Sequence, residues 1–190
     1  MHFTKSSLRS WFLYLLPLSL CFLFAAPKAQ AQRMALKTNA LEYFILSPNL
    51  TFEARLSRVL SLQIGVAGNP VTKPIAGYKA SNFRVEPELR YWFNRPMAKH
   101  FVAVSATAGI YSLGIHDRVI SGDAVALGIS YGYALVLSRH WNMEAEIGVG
   151  IGNTHGYDYT KPNRRPASPN LLRTLPVPVR FGLSFGYVFK

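Results

Sequence analysis

The chain is short of cysteine, of acidic residues and of long apolar runs, and each shortage removes a class of protein. Its 190 residues include one cysteine, Cys21, which lies in an N-terminal segment read below as removed. The mature chain therefore has no thiol for a disulfide, a thiolate metal site or a cysteine nucleophile. Charged residues make up 16% of the sequence against roughly a quarter in an ordinary soluble domain, while 49% is hydrophobic, which excludes a disordered chain or a coiled coil. No stretch reaches the roughly 20 consecutive apolar residues of a spanning helix, so a helical membrane bundle is excluded as well. Neither histidine nor acid spacing matches a metal motif, and no glycine-rich phosphate loop leads from a strand into a helix. No cofactor is expected. The bases outnumber the acids by 21 to nine, yet they are dispersed along the chain and the aromatics belong to another pattern, so nucleic acid is not the expected partner.

The first 31 residues read as an export signal. Lys5 and Arg9 precede an apolar run from Trp11 to Ala26, broken by Pro17, and Ala29-Gln30-Ala31 is a small-x-small cleavage site. Cys21 follows Leu20 in mid-run, which does not fit a lipoprotein. Cleavage after Ala31 removes Lys5, Arg9 and Lys28, leaving 18 bases against nine acids and a formal charge of +9. Residues 32–190 are read as one domain.

That domain alternates with period two. From 141 to 151, Trp141, Met143, Ala145, Ile147, Val149 and Ile151 occupy one face, while Asn142, Glu144, Glu146, Gly148 and Gly150 occupy the other. Such alternation means a strand with two unlike faces. The rule recurs over 124–137 and over 177–189, where Val177, Val179, Phe181, Leu183 and Phe185 oppose Arg180, Gly182 and Ser184. Over 83–94 the second face is a charge ladder of Arg84, Glu86, Glu88 and Arg90. Weaker versions cover 49–57, 60–68 and 100–111, and a first strand runs from Ala35 to about Ile45. Eight strands result, with no competing helical signal. Leu56-Ser57-Arg58 and Leu137-Ser138-Arg139 form an internal echo, each entering a glycine-bearing strand. Short connections alternate with long ones at 69–82, 112–122 and 153–174, the asymmetry of an eight-stranded antiparallel up-and-down transmembrane β-barrel with trimmed inner turns and elaborated outer loops.

Composition decides which face is outside. The minor face of 124–134 holds only Ala, Gly and Ser, which suits a crowded barrel interior better than a solvated exterior, so the apolar face is expected to meet lipid. Tyr91, Trp92, Phe93, Trp141, Tyr187 and Phe189 gather near strand ends, as interfacial aromatics do. The inward sets then bring together Glu53, Arg55, Arg84, Glu86, Glu88, Arg90, Glu144, Glu146 and Arg180. An eight-stranded barrel holds side chains and little else, so these ions are expected to pair as a structural network and fill the lumen.

Taken together, Leu36-Lys37-Thr38-Asn39-Ala40-Leu41, Ser47-Pro48-Asn49-Leu50, Pro87-Glu88-Leu89-Arg90-Tyr91-Trp92, Gly128-Ile129-Ser130-Tyr131-Gly132-Tyr133 and Leu137-Ser138-Arg139-His140-Trp141-Asn142-Met143-Glu144 resemble a family of small outer-membrane barrels of unknown function (DUF3575-like) from Bacteroides-type Gram-negative bacteria. The resemblance implies an eight-stranded barrel in the outer membrane, with some relatives associated with fimbria-related loci, and no catalytic residues to transfer. Barrel-insertion signals usually end in an aromatic, whereas Lys190 follows Phe189 here.

Three functions compete. A non-enzymatic barrel acting as a structural or surface-interaction protein would display the loop over 153–174, where Lys161, Arg164, Arg165 and Arg173 face outer-membrane lipid, lipopolysaccharide phosphates, or fimbrial and other surface proteins. A lipid-modifying enzyme would need a triad drawn from His116, Asp117, Ser121, Asp123, His155 and Asp158. A narrow channel would need a water-wide lumen, which eight strands do not leave.

Overall fold

The computed structural model describes residues 33–69, 78–161 and 165–189. The chain divides at Gln32/Arg33, and the fold below is that of the unit Arg33–Lys190. The export-signal features, Arg164 and Lys190 lie outside the described residues.

The described chain is all-β with one short helix. Strands β1 (Met34–Asn39), β2 (Asn49–Arg55), β3 (Leu60–Asn69), β4 (Tyr78–Trp92), β5 (Lys99–Ile115), β6 (Arg118–Val136), β7 (Trp141–Thr160) and β8 (Leu171–Phe189) pair in sequence order, all antiparallel, and β1 pairs with β8 to close the barrel. Closure removes both free edges that an open sheet would present. The period-two pattern fixes the register, because a slip of one residue would exchange the two faces. Outward rows carry Leu127, Ile129, Ile147, Val149, Ile151 and Phe181, all more than 60% exposed, while the inward rows carry the ionised and small residues.

The internal echo has a physical basis. In each of its two turns a serine hydroxyl accepts backbone N–H bonds from the residues that start the next strand: Ser57 Oγ from Val59 and Leu60 at 3.3 and 3.0 Å, and Ser138 Oγ from His140 and Trp141 at 3.4 and 3.2 Å. Serine is suited to this because its short side chain reaches a backbone amide two or three residues on. These tight turns sit at one rim.

Four sequence expectations are corrected. The first strand does not run to Ile45. It stops at Asn39, whose side chain accepts from Leu41 N and starts α1 (Ala40–Tyr43). The helix ends with Ser47 N donating to Glu42 O and Leu46 N to Tyr43 O, a Schellman closure in which Leu46 takes the left-handed position at φ 54°. The long connections shrink because the strands continue past the apolar rows: β5 and β6 meet at His116-Asp117, and β7 and β8 pair from Gly156↔Leu171 onward.

Trp92 is the third correction. It is buried inside the barrel, its ring centroid 4.6 Å from that of Phe101 and its Nε1 donating to Ser61 Oγ at 2.7 Å. Gly132 makes room for this pair, since a Cβ there would lie 2.3 Å from Phe101 Cζ. The fourth concerns β8, where a register shift between Gly148 and Val149 breaks the alternation. Val179 is buried rather than outward, and its two methyls lie where a Cβ on Gly128 or on Gly150 would fall, 2.6 and 2.7 Å away.

The walls are unequal. Strands β1 to β3 have 6, 7 and 10 residues, whereas β5 to β8 have 17 to 20. Because β1 ends opposite Ser184, the upper part of β8 from Leu171 to Leu183 has no strand on its β1 side. Pro176 and Pro178 fall in that stretch, consistent with proline's confinement to edges and bulges.

Candidate functional site: the filled lumen

Strand β4 projects Arg84, Glu86, Glu88 and Arg90 to one side at i, i+2, i+4 and i+6, and the other strands meet them across a narrow interior. The result is a continuous alternation of acid and base. Glu53 pairs with Lys37, whose Nζ lies 2.7 Å from both Glu144 oxygens. Arg90 Nη1 reaches Glu144 Oε2 at 2.7 Å, Nη2 reaches Glu146 Oε2 at 2.7 Å, and Nε pairs with Glu88. Arg180 joins Glu88 at 2.5 Å to Glu86 at 2.6 Å. Arg84 then links Glu86 at 2.7 Å to Glu42 on α1 at 2.5 Å.

Charge-assisted contacts at these distances are the strong kind of hydrogen bond, and the forked guanidinium lets one arginine serve several carboxylates. Burial makes them obligatory. Glu53, Glu88, Arg90 and Glu144 are at most 2% exposed, and a lone charge so placed would carry an uncompensated desolvation cost. Polar neighbours complete the set: Ser130 Oγ donates to Glu146 Oε1 at 2.7 Å, and Asn142 Nδ2 donates to Glu144 Oε1 at 3.1 Å. The Arg90 guanidinium also lies 4.3 Å from the Phe101 ring centroid, which covers it from the turn rim.

The structure brings together Glu53, Arg84, Glu86, Glu88, Arg90, Glu144, Glu146 and Arg180. Arg55 stands apart. It is the last residue of β2, and its Nε donates to Ser57 O at 2.8 Å in the adjacent turn. Two members escaped sequence reasoning, Lys37 and Glu42. Lys37 lies in the inward row of β1, two residues from Asn39. Glu42 follows Asn39 by three residues, the spacing of a helix start with its reciprocal acid, and its Oε1 accepts from Asn39 Nδ2 at 3.2 Å. All six glutamates of the chain thus belong to the network, against four cations.

Above the network lies a cavity of about 520 Å3, floored by Glu86, Glu146 and Arg180 and walled by Leu41, Ile45 and Val179. The connector between β1 and β2 forms one side of it. Asn39 ties this connector to the free stretch of β8, donating from Nδ2 to Phe181 O at 3.2 Å and accepting at Oδ1 from Leu183 N at 3.2 Å.

The residues singled out in the loops are mostly at the tall tips. Asp158 receives Arg118 at 2.8 and 2.5 Å, which holds its carboxyl below the ordinary carboxylate range and raises the guanidinium. Asp123 and His155 oppose each other on β6 and β7, 3.7 Å apart and both exposed. Ser121 lies opposite Tyr157 instead, and no seryl hydroxyl contacts His155 among the described residues. Arg165 lies 3.6 Å over the Tyr157 ring, while Lys161 and Arg173 are exposed. Among the described residues no group of three or more His, Cys, Asp or Glu is arranged to hold a metal ion.

A family model described as a protein of unknown function (DUF3575) matches residues 17–189. No curated protein matches the chain.

Proposed function

We propose that this chain, which belongs to the DUF3575 family, is a β-barrel of a Gram-negative outer membrane, exported on a signal peptide that ends at Ala31. It acts as a non-enzymatic structural or surface-interaction protein whose lumen is filled by its own ions. The observation that carries this reading is the inversion of the two faces: every glutamate lies in the interior network, while the outward rows are Leu, Ile, Val and Phe. On β6 the outward apolar row from Val125 to Leu135 covers about 33 Å of strand. At a tilt of about 40° that corresponds to about 25 Å of height, the thickness of the apolar band in outer-membrane barrels.

Ring contacts at the short-turn rim support the orientation. Trp141 packs on Tyr187, Tyr187 on Phe189, and His100 on Tyr133, as in the aromatic girdle of a membrane interface. Both described ends of the chain lie at this rim, which faces the periplasm in this reading. The tall tips then stand outside the cell, with Lys161, Arg165 and Arg173 exposed toward lipopolysaccharide phosphates and surface proteins such as fimbrial subunits. Ion pairs running through the interior, with Trp92 and Phe101 below them, weigh against a channel.

Purification tests the reading directly. The mature chain should require detergent and should fractionate with outer membranes; a monomer soluble without detergent would overturn the assignment. Replacing Arg165 and Arg173 by glutamine should weaken binding to lipopolysaccharide micelles severalfold. Unchanged binding would remove lipopolysaccharide as the partner while leaving the barrel assignment intact.

A further inference from the structure

The upper lumen differs from the rest of the interior in having both open space and a side entrance. Its volume of about 520 Å3 lies within the roughly 300–1,000 Å3 of small-molecule sites. Its charged lining consists of Lys37, Arg84 and Arg180 with Glu42, Glu86 and Glu146, three of each sign. Its apolar lining includes Leu41, Ile45, Ala126, Val177 and Val179. The cavity is not confined to inward rows, because Phe181 on the outward face of β8 also lines it. There β8 has no strand beside it, and among the described residues the Asn39 side chain and the α1 connector bridge the gap.

Each part of this lining selects a feature of the occupant. A purely anionic head would meet three carboxylates, and a purely cationic one would meet three cations. A head carrying both signs finds a counter-ion for each. The apolar rim and the seam beside Phe181 require a hydrocarbon portion continuous with that head. The exposed Phe44, Ile45 and Leu46 of the connector extend the apolar surface outward from the seam.

We propose that this cavity binds a zwitterionic amphiphile, a lipid whose head bears an ammonium and a phosphate, admitted sideways between α1 and β8. The proposal rests on the membrane reading above. The ammonium seats against Glu42, Glu86 and Glu146 and the phosphate against Arg84 and Arg180, while the chain leaves through the seam.

The test uses the full mature chain in phosphatidylethanolamine and phosphatidylglycerol vesicles, each lipid doped in turn with its own diazirine-acyl analogue, and maps crosslinks by mass spectrometry. With the phosphatidylethanolamine probe, label is expected on the cavity residues Leu41 and Val177 as well as on the outward residues Leu127 and Ile129. The phosphatidylglycerol probe should label the outward residues equally and the cavity residues at least threefold less. Filling the space with Ala126→Trp or, in a second variant, Val177→Trp should cut label at Leu41 at least fivefold with Leu127 unchanged, heat-modifiable migration confirming the fold of each. Label confined to Leu127 and Ile129 would overturn the inference and leave the membrane reading standing. Absence of label at all four positions would overturn both, and equal cavity label from the two probes would overturn the zwitterionic selection.

Discussion

The lower and upper halves of the lumen are built from the same residue types, yet they are different materials. Below, Glu53, Glu88, Arg90 and Glu144 are sealed by Trp92 and Phe101 and have almost no exposure. Above, Arg84 is 21% exposed and Glu42 16%, and both border open space. The difference comes from the walls. Around the lower half all eight strands are present, whereas β1 ends at Asn39 while β8 continues upward without it on that side. An ion pair in a complete ring is a packing element. The same pair beside a gap is a surface that a ligand can address.

The largest expected effect is at the centre of the sealed half. Arg90→Ala leaves Glu53, Glu88, Glu144 and Glu146 without their shared cation and should cost about 3–5 kcal/mol, the usual consequence of removing one partner of a buried pair. Urea titration of the heat-modifiable form would measure it, and wild-type stability would erase the distinction between the halves. Arg84→Gln, its counterpart in the upper half, should cost only about 1 kcal/mol because water can reach the groups it leaves behind. A loss equal to that of Arg90→Ala would again merge the two halves.

The connector offers a finer probe of the upper half. Leu46→Gly removes the side chain from a left-handed position and should stabilise the barrel by about 1 kcal/mol. A loss of stability would instead show that the Leu46 side chain contributes more at the seam than its backbone strain costs. The smallest effect lies at the tips. The Asp158 carboxyl is held below its ordinary value of 3.8 by Arg118, so the pair contributes fully above that pH and is lost as pH falls below it. Exchange protection of the Lys161 amide, which donates to Asp117 O at 2.8 Å, should be level from pH 7 to 5 and decline below about pH 3.8. A decline near neutrality would mean that another group controls the tip.

The eight strands were legible because two unlike faces leave a mark every second residue, and the mark is strongest where one face is charged, as on β4. Legibility fades where the contrast does. Above the apolar rows, Ser112, Asp123, Asn153 and His155 take outward positions, so both faces are polar and the sequence pattern there resembles a loop. Near Val177 and Val179 both faces are apolar, and nothing in the alternation announces the shifted register of β8. Arg55 carries the right charge and parity but sits beside a turn carbonyl that captures it. Lys37 is hidden because the alternation of the first strand slips near Leu41 and leaves its inward face undefined, and Glu42 because asparagine followed three residues later by glutamate is a helix-start signal inside an apparent strand.

The ring closes through six residue pairs between β1 and β8, the shortest strand meeting one of the longest. Lys37 lies within that join, and it is the cation nearest Glu53. Pairing of β1 with β2 already brings this ammonium group to Glu53, but until β1 and β8 meet, Glu144 of β7 lacks it. Completing the cylinder therefore also completes the charge balance of its floor, and a chain mispaired between β1 and β8 would leave Glu144 short of a cation.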